Sequence, residues 1–500
     1  MRNIKFNLIW VILVTSLISC NDAIEIDQPG RLSAEATFQT VDDLQAGLYG
    51  VYLRYDVTQE ISFASRFTDE ISIGFDNGGQ ALSEYSFVLN PDGAAPADFW
   101  VQNYAALNAA NRLLDAALIV EPSADQRDLY DDIVGQALAL RAFAHFTLLS
   151  YFTTDYTDDS ALGVILLDFV PTIDQNLLRN TNGEIYASIE EDLSRAFNLL
   201  SYDQNPTFIG RDFITALRAR MAAYRQNYPD AERFARQLVD KYGIANRDQY
   251  KAMFLDQDNT EIIFKLERTL NGPYDGQGNT AFPIGGGWAG ANFAFTGPGI
   301  DGSPYLEMGR SLFNLLDPAD IRYDVNVHPS SIVDPNYPDP VNFAADDILV
   351  INKYPGSEGR PLMNDLKVFR SSEMLLILAE ARAAQDNFNG ASNSTASLIK
   401  RLRDARFGEA TALPNYGSRE EAFADILEER RIELAFEGHR YKDLKRLGQR
   451  ANQGVDKDPL DCAFNGACAL PATDYRFTFP LPIVEFNANP GLREQQNPGY

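Results

Sequence analysis

The chain has 500 residues, of which 45% are hydrophobic, so it is long enough to bury a large core or to form two or three domains. It carries 70 acidic and 43 basic residues, and its formal net charge is −27. Such an acidic chain repels phosphate backbones, which argues against nucleic-acid binding and indicates a soluble, well-hydrated surface.

The first 20 residues have the pattern of an export signal rather than of a folded element. A basic start precedes an apolar run at residues 8–17, which is too short to span a bilayer. The run ends in Leu-Ile-Ser-Cys, which resembles the lipobox of bacterial lipoproteins and would leave Cys20 carrying the lipids. The alternative is an ordinary signal peptide with an incidental cysteine. We expect a signal peptide over 1–19 and an acidic, lipidated tether over 20–34.

Residues 35–243 have the apolar periodicity of a helical scaffold. Apolar side chains recur every three or four residues, as at Trp100, Tyr104 and Leu107, so Trp100 is predicted to lie in the core. The predicted helices cover residues 41–55, 97–120, 126–152, 183–200, 211–228 and 230–243. Pro229 near a helix start and Gly243 just past a helix end agree with this pattern.

One spacing of small and aromatic residues occurs twice along the chain. The sets are Ala219, Tyr228 and Ala231 in one region and Ala379, Phe388 and Ala391 in the other. Each set spans a helix, a short turn and a second helix, with alanines where two helices must approach closely. The pattern is similar to a tetratricopeptide repeat, although helical hairpins in general can produce it.

Residues 244–366 form a loop-rich region. The stretches 272–305 and 327–347 are rich in Gly, Asn, Pro and Asp, so little regular helix is expected there, and a short strand is predicted at 260–267. Long loops of this kind are often functional. Residues 256–261 have the carboxylate spacing of a weak calcium loop. They lack the glycine and the length of an EF-hand, so we expect them to be solvated and to hold no metal.

Helical periodicity returns in residues 367–500. Helices are predicted at 367–385, 396–407 and 419–438, the last capped by Gly438 and followed by a short helix within 439–448. From Cys462 onwards the chain is predicted to be extended. Outside the cytoplasm, Cys462 and Cys468 form an even pair that favours a disulfide, and a zinc site is disfavoured because no histidine lies nearby.

Residues 427–448 are dense in charged side chains, which could form either an acid–base catalytic site or a set of structural ion pairs. Apolar residues occupy two opposite faces of the predicted helix, so Arg430, Glu433 and Glu437 must be buried and paired. Catalytic carboxylates usually lie in a cleft with few bases, whereas here bases match acids nearly one for one. The segment is therefore predicted to be an ion-pair lattice that joins two helices rather than an acid–base site.

Several motifs occur in a fixed order along the chain. They are 99–115 with Trp100 and Asn111, 368–381 with Arg370, Glu373 and Glu380, 429–448, and the Asn-Pro-rich end at 481–500. Together with the lipobox they resemble the SusD/RagB family of Bacteroidetes outer-membrane lipoproteins, over nearly the whole mature chain. One departure is small: Ser371 and Ser372 stand where an aromatic residue is commoner.

The resemblance implies a mostly α fold of SusD-like α/α type. Tetratricopeptide-like helical hairpins would form the scaffold, and a loop-rich half would bind ligand, all within one unit over 35–500. It further implies a lipid-anchored, surface-exposed outer-membrane protein that captures oligo- or polysaccharide and delivers it to a SusC-like TonB-dependent barrel transporter. Some members bind peptides, so a peptide or another nutrient is the alternative ligand.

No catalysis and no cofactor are expected. The three histidines are scattered, and the sequence contains no Gly-x-Ser-x-Gly motif, P-loop or Rossmann fingerprint. The competing hypotheses are a glycoside hydrolase, which would need two loop carboxylates roughly 5–10 Å apart, and a helical scaffold without a small ligand.

Exposed aromatic side chains are the expected ligand contacts, because sugar rings have apolar CH faces that stack on them. Trp288, flanked by glycines, is the first candidate since such a position is a poor one for a core residue; the alternative is that it folds back as a plug. The other candidates are Tyr274, Phe293, Phe295 and Tyr305 in the same loop, with Phe63, Phe75 and Tyr85 as runners-up.

Overall fold

The computed structural model describes residues 37–74, 77–172, 174–201, 205–272, 287–294, 304–337, 339 and 346–500. Helices dominate these ranges, as the sequence predicts, and the strands form two-stranded antiparallel pairs. Cys20, Phe75, Tyr274 and Phe295 lie outside the described residues.

The N-terminal scaffold consists of helices joined by connections of varied length, the longest being residues 153–181. They are α1 Val41–Tyr52, α2 Thr58–Phe67, α3 Leu82–Tyr85, α4 Ala94–Ala117, α5 Arg127–Phe152, α6 Asn182–Leu199, α7 Arg211–Tyr224 and α8 Tyr228–Tyr242. Thr40 and Thr181 form capping boxes that begin α1 and α6. Pro229 lies in the first turn of α8, and Gly243 ends that helix with φ +72°, so both punctuation signals are confirmed.

Helix α5 lies at the centre of the scaffold, packed between α4 and α6. Nearly all of its residues from Ile133 onwards are buried. Within the described residues it is the one helix long and apolar enough to cross a membrane, and 89% of its apolar window is buried inside the protein. A helix that is apolar all round needs such enclosure, so α5 serves as the core helix.

The remaining described elements, apart from strand β1, follow Gly243 in the chain. The strands are β1 Ile71–Ile73, β2 Ile262–Leu266, β3 Leu306–Met308, β4 Leu366–Arg370, β5 Val455–Asp456 and β6 Ala469–Leu470, paired β1–β3, β2–β4 and β5–β6. The helices are α9 Arg247–Phe254, α10 Arg310–Phe313, α11 Ile321–Asn326, α12 Ser371–Ala384, α13 Thr395–Phe407, α14 Arg419–Glu433, α15 Arg440–Leu447, α16 Pro459–Cys462 and α17 Ile483–Ala488.

Two helical hairpins correspond to the repeated spacing, α7 with α8 and α12 with α13. Ala219, Ala231 and Ala379 are fully buried, as close helix approach requires. The prediction for Ala391 is wrong, because this residue is exposed in a connection that continues to the N-cap Ser394. The connection between α12 and α13 is longer than that between α7 and α8. Ala391 therefore lies in the connection and not in the second helix of its hairpin, as Ala231 does.

Three predicted boundaries are wrong. Residues 367–370 form strand β4 rather than helix, because they pair with β2. Helix α14 ends at Glu433 instead of 438, since the following turn places Phe436 at φ +62° and Gly438 at φ +82°. The C-terminal stretch is not extended but contains α17 and the 3₁₀ turns Tyr475–Phe477 and Pro490–Gln495.

The C-terminal tail is fastened to the scaffold by Arg179. Its buried guanidinium donates to the carbonyl oxygens of Phe152 at 2.9 Å, Gly163 at 2.7 Å and Gln495 at 2.7 Å. Burial lowers the pKa of Arg179 to about 10. Nearby in the tail, the structure joins Cys462 to Cys468 in a disulfide.

Candidate functional site

Trp288 opens a short described segment, 287–294, which continues as the 3₁₀ turn Ala289–Asn292. Trp288 is partly exposed, whereas Gly287, Ala289 and Gly290 around it are buried. The indole Nε1–H is buried and has no hydrogen-bond acceptor among the described residues. An unsatisfied buried donor costs roughly 1–3 kcal/mol, and such exceptions need a functional or structural explanation.

The start of this segment is held by a buried ion pair. The Arg268 guanidinium pairs with Asp56, and its Nε donates to the Gly287 carbonyl at 3.3 Å. The backbone N–H of Arg268 donates to Asp365 at 2.8 Å. The backbone just before Trp288 is therefore fixed to the end of β2 and to the residues before α2.

The turn itself is pressed against Leu362. A Cβ on Gly290 would lie 2.7 Å from Leu362 Cβ and 2.8 Å from its Cα, so only glycine fits without moving the backbone. Leu362 has φ +69°, a conformation that a bulky side chain rarely adopts. Strain of this kind persists only where the surroundings impose it, and it is common at ligand-binding sites.

Phe293 and Tyr305 support the segment from behind and do not present a ring to solvent. Phe293 is buried between Tyr354, with ring centroids 6.5 Å apart, and Phe436, at 5.3 Å. The buried Tyr305 hydroxyl donates to the Ala291 carbonyl, and burial raises its pKa, which keeps it a donor. Both candidates therefore hold the turn that follows Trp288 rather than forming an exposed surface.

The other aromatic candidates also lie in the core. Trp100 is 1% exposed and donates through Nε1 to Glu485 at 2.9 Å, so its core prediction is confirmed. The runners-up Phe63 and Tyr85 are buried as well, Phe63 in a cluster with Phe67 and Tyr441. Among the sequence candidates that the structure describes, Trp288 is the aromatic residue with a partly exposed ring.

The charged segment 427–448 contains the centre of a buried ion-pair network, which we call the ionic framework. Arg370 and Arg406 each contact Glu433 at 2.9 Å. The same two guanidinium groups reach Glu261, at 3.1 and 2.7 Å, and Arg370 also contacts Glu437 at 2.8 Å. All five side chains are buried, so the predicted pairing of charges in this segment is confirmed.

The partners within the ionic framework differ from those that the helical periodicity indicates. Arg430 pairs with Asp443 of α15 at 2.8 Å rather than with Glu433 or Glu437. Glu433 instead joins α14 to β4 and α13, and Glu429 joins it to α11 through Arg322. The network therefore ties several elements together, and not only two helices.

Glu261 is a buried member of the ionic framework that the sequence pattern does not indicate. Residues 256–261 were expected to be solvated, but Glu261 is fully buried between Arg370 and Arg406, and Asp256 pairs with Lys367 at 2.5 Å. That expectation is wrong because these carboxylates find bases more than a hundred residues away along the chain. No local signal in the sequence marks such partners.

The electrostatics of the ionic framework do not favour proton transfer. Burial alone would raise the pKa of Glu433, but the guanidinium groups of Arg406 and Arg370 hold it well below its usual value. Beside the framework, burial raises the pKa of Glu70 to about 7. Glu70 accepts the Phe436 N–H at 3.0 Å and the Ser65 hydroxyl at 3.0 Å, so it secures the turn after α14.

The metal-binding potential of the described ranges is low. They contain no group of three or more His, Cys, Asp or Glu side chains placed to hold a metal ion. His145 is buried, and burial lowers its pKa to about 3, which leaves a neutral ring that accepts the Leu167 N–H at 3.1 Å. This histidine has a structural role.

Two sequence profiles of known families match the chain. The profile described as the SusD family matches residues 349–500, and the profile described as starch-binding associating with outer membrane matches residues 25–224. SusD-like protein P2 of Formosa agariphila is 26% identical, over 99% of this chain and 100% of its own length. SusD-like protein P38 of the same organism is 22% identical, over 100% and 99%.

Solved structures share the fold. A SusD superfamily protein of Bacteroides thetaiotaomicron superposes with a TM-score of 0.73 at 22% identity, covering 92% of this chain and 100% of that one. Surface glycan-binding protein A of Bacteroides fluxus gives 0.71 at 20%, covering 92% and 100%. A SusD-like carbohydrate binding protein of Bacteroides vulgatus gives 0.70 at 19%, covering 92% and 98%.

Proposed function

Because this chain belongs to the SusD family, we propose that it is a non-catalytic binding protein of the outer membrane that captures oligo- or polysaccharide. The matching family description names starch binding and the outer membrane, and one structural neighbour is a surface glycan-binding protein. The mostly helical scaffold and the loop-borne Trp288 agree with that role.

The observation that carries the proposal is the Trp288 indole. Trp288 is partly exposed, and the accessible part of its indole would offer an apolar face to the CH groups of a sugar. The ring is attached to a rigid support, since Gly287, Gly290 and Phe293 are each fixed by the contacts described above. Preorganisation of this kind lowers the entropy cost of binding.

Further contacts are proposed from the same loop. Tyr274 and Phe295 flank the described segment in sequence and would extend the aromatic surface. Phe293 and Tyr305 would act by holding Trp288 in place.

We also propose that the captured glycan passes to a SusC-like TonB-dependent transporter and that the protein is anchored through lipids on Cys20. Both statements rest on the family resemblance and on the Leu-Ile-Ser-Cys motif. Retention of labelled palmitate on the wild-type chain and its loss from Cys20→Ala would test the anchor. Co-purification of a TonB-dependent barrel with the wild-type protein would test the partner.

Binding and turnover measurements together test the proposed function. The full chain is titrated calorimetrically with a panel of neutral polysaccharides and peptides, and each mixture is then analysed chromatographically for shortened products. We expect heat from at least one glycan and unchanged chain lengths. If only peptides give binding heat, the ligand class is peptide and not glycan. Shortened glycans would show that the protein is catalytic.

A further inference from the structure

A second cleft opens on the helical scaffold, formed by elements other than those around Trp288. It encloses about 270 Å³ between α1, the first half of α5 and the connection that leads into α7. This volume is slightly below the ~300–1,000 Å³ of ordinary small-molecule pockets, so it suits a short part of a longer, solvent-exposed ligand.

Two aromatic rings form one wall of the cleft and remain accessible. Tyr49 is 46% exposed and Phe208 is 38% exposed, with ring centroids 6.2 Å apart. Tyr52 packs edge-on against Phe208 at 5.7 Å and fixes its orientation. Large apolar rings left in solvent inside a concave site point to a ligand with apolar faces.

A directed chain of hydrogen bonds runs from the aromatic wall to Asp132. The Ile209 N–H donates to the Tyr52 oxygen at 2.8 Å, and the Tyr52 hydroxyl donates to the Gln136 carbonyl oxygen at 2.6 Å. The Gln136 amide then donates to Asp132 at 2.8 Å. Burial raises the pKa of Tyr52, so its hydroxyl stays a donor and the chain keeps its direction.

Asp132 is thereby held as an acceptor that still has unused capacity. It forms no ion pair with a described residue, and its second oxygen accepts only a long bond, 3.4 Å, from the Ser201 N–H. Within the described residues, the Gln45 amide also makes no hydrogen bond, and the Asn205 amide nitrogen donates none. These groups offer an acceptor and several donors beside the aromatic wall.

We propose that this cleft is a second binding site, which takes a neutral sugar unit of a glycan chain. The aromatic wall suits the CH face of a sugar, and Asp132 suits its hydroxyl groups. The charge argues for a neutral sugar, because Asp132 is the one charged residue among the described lining residues and would repel a uronic acid or a sulfate. The inference rests on the proposed function for its ligand class, but on different residues.

The test uses the full chain in micelles of a detergent without sugar, so that the headgroup does not compete. The probes are maltohexaose, cellohexaose, laminarihexaose and xylohexaose, with an oligogalacturonate as the anionic control. Saturation-transfer NMR and calorimetry measure binding, and thermal unfolding checks the fold of every variant. The variants are Trp288→Ala, Tyr49→Ala, Phe208→Ala and Asp132→Asn, alone and on the Trp288→Ala background.

Phe169→Ala is the matched control, because Phe169 is also 38% exposed but does not line the cleft. We expect Trp288→Ala to retain one binding event per chain for a neutral hexaose. On that background, Tyr49→Ala or Phe208→Ala should weaken it at least tenfold and Asp132→Asn severalfold, while Phe169→Ala should change nothing.

Three results would overturn the second site. They are loss of all binding in Trp288→Ala alone, residual binding that the Tyr49, Phe208 and Asp132 variants leave intact, and no binding of any probe to the wild-type chain. The first result leaves the proposed function standing, so the two failures are distinguishable. Binding lost with Phe208→Ala but intact in Trp288→Ala would support the cleft and refute the Trp288 site.

Discussion

Residues 427–448 carry thirteen ionisable side chains, counting His439 and Tyr441, whereas residues 287–294 carry none. In the first segment Glu433, Arg430 and their neighbours are buried and paired. In the second, Trp288 is an uncharged, partly exposed aromatic residue. Buried and paired charges stabilise a fold, so the density of charge in residues 427–448 does not by itself mark a binding site.

The two segments are also in contact. Phe436, in the turn after α14, packs on Phe293 behind Trp288, with ring centroids 5.3 Å apart. Both Phe436 and Leu362, which borders Gly290, have positive φ. We infer that the ionic framework supports the ligand site mechanically while taking no direct part in binding.

The largest expected effect is that of Glu433→Ala. It would leave the buried guanidinium groups of Arg370 and Arg406 without a shared carboxylate, which should destabilise the fold by about 3–5 kcal/mol. Urea unfolding and the yield of folded protein measure this. Arg419→Ala is the control on the same helix, because its pair with Asp386 is exposed, and it should leave the yield unchanged. A Glu433→Ala protein that folds normally but loses glycan binding would contradict the structural role.

Glu70→Gln tests the turn that joins the two segments. The folded-state pKa of Glu70 is raised to about 7, so its contribution to stability is fully present below its usual pKa of 4.5 and is lost as pH rises towards 7. A glutamine keeps the hydrogen-bonding geometry but does not ionise. The free energy of unfolding of the variant should therefore exceed that of the wild type by at most about 3 kcal/mol at about pH 8. The difference should be much smaller at about pH 5. If the difference in unfolding free energy between variant and wild type is the same at both pH values, Glu70 does not titrate in this range.

Gly290→Ala tests whether the support of Trp288 matters. The new Cβ would collide with Leu362, so the turn must move, at a cost of about 1–3 kcal/mol, and glycan affinity should fall with it. Gly50→Ala is the control, because a Cβ there meets nothing within 4 Å and α1 should become slightly more stable. Unchanged affinity in Gly290→Ala would show that the position of the turn is not critical.

Trp288→Phe should have the smallest effect. Phenylalanine keeps an aromatic face but is smaller than an indole, so the loss of stacking area should weaken binding about fivefold, or about 1 kcal/mol. Stability should stay equal or rise slightly, because an unsatisfied donor is removed. Calorimetry and thermal unfolding measure the two quantities, and an unchanged affinity would show that the ligand does not need the larger ring.

Much of the fold could be predicted from the sequence, because helical periodicity is a local signal. Helix α5 was expected at 126–152 and lies at Arg127–Phe152. The early end of α14 could not be predicted, since Phe436 takes a positive φ in a turn held by Glu70, far away in the chain. The burial of Glu261 depends likewise on distant bases.

The candidate site was likewise predictable only in its local features. Trp288 stood out in the sequence because glycines flank it, and the structure describes it as half-buried. The burial of Phe293 and Tyr305 depends on Tyr354, Phe436 and Ala291, contacts that composition does not encode. The sequence pattern indicates the segment around Trp288. Only the packing distinguishes the partly exposed Trp288 from the buried Phe293 and Tyr305.

The most direct test of the central claim is the glycan affinity of Trp288→Ala compared with that of the wild type, measured by calorimetry alongside thermal unfolding. We predict that the binding event at Trp288 loses at least tenfold in affinity, about 1.4 kcal/mol or more, with an unchanged unfolding temperature, while the event assigned to the scaffold cleft persists. Wild-type affinity in Trp288→Ala, or a loss of affinity that accompanies unfolding, would contradict the claim that binding is centred on the uncharged segment.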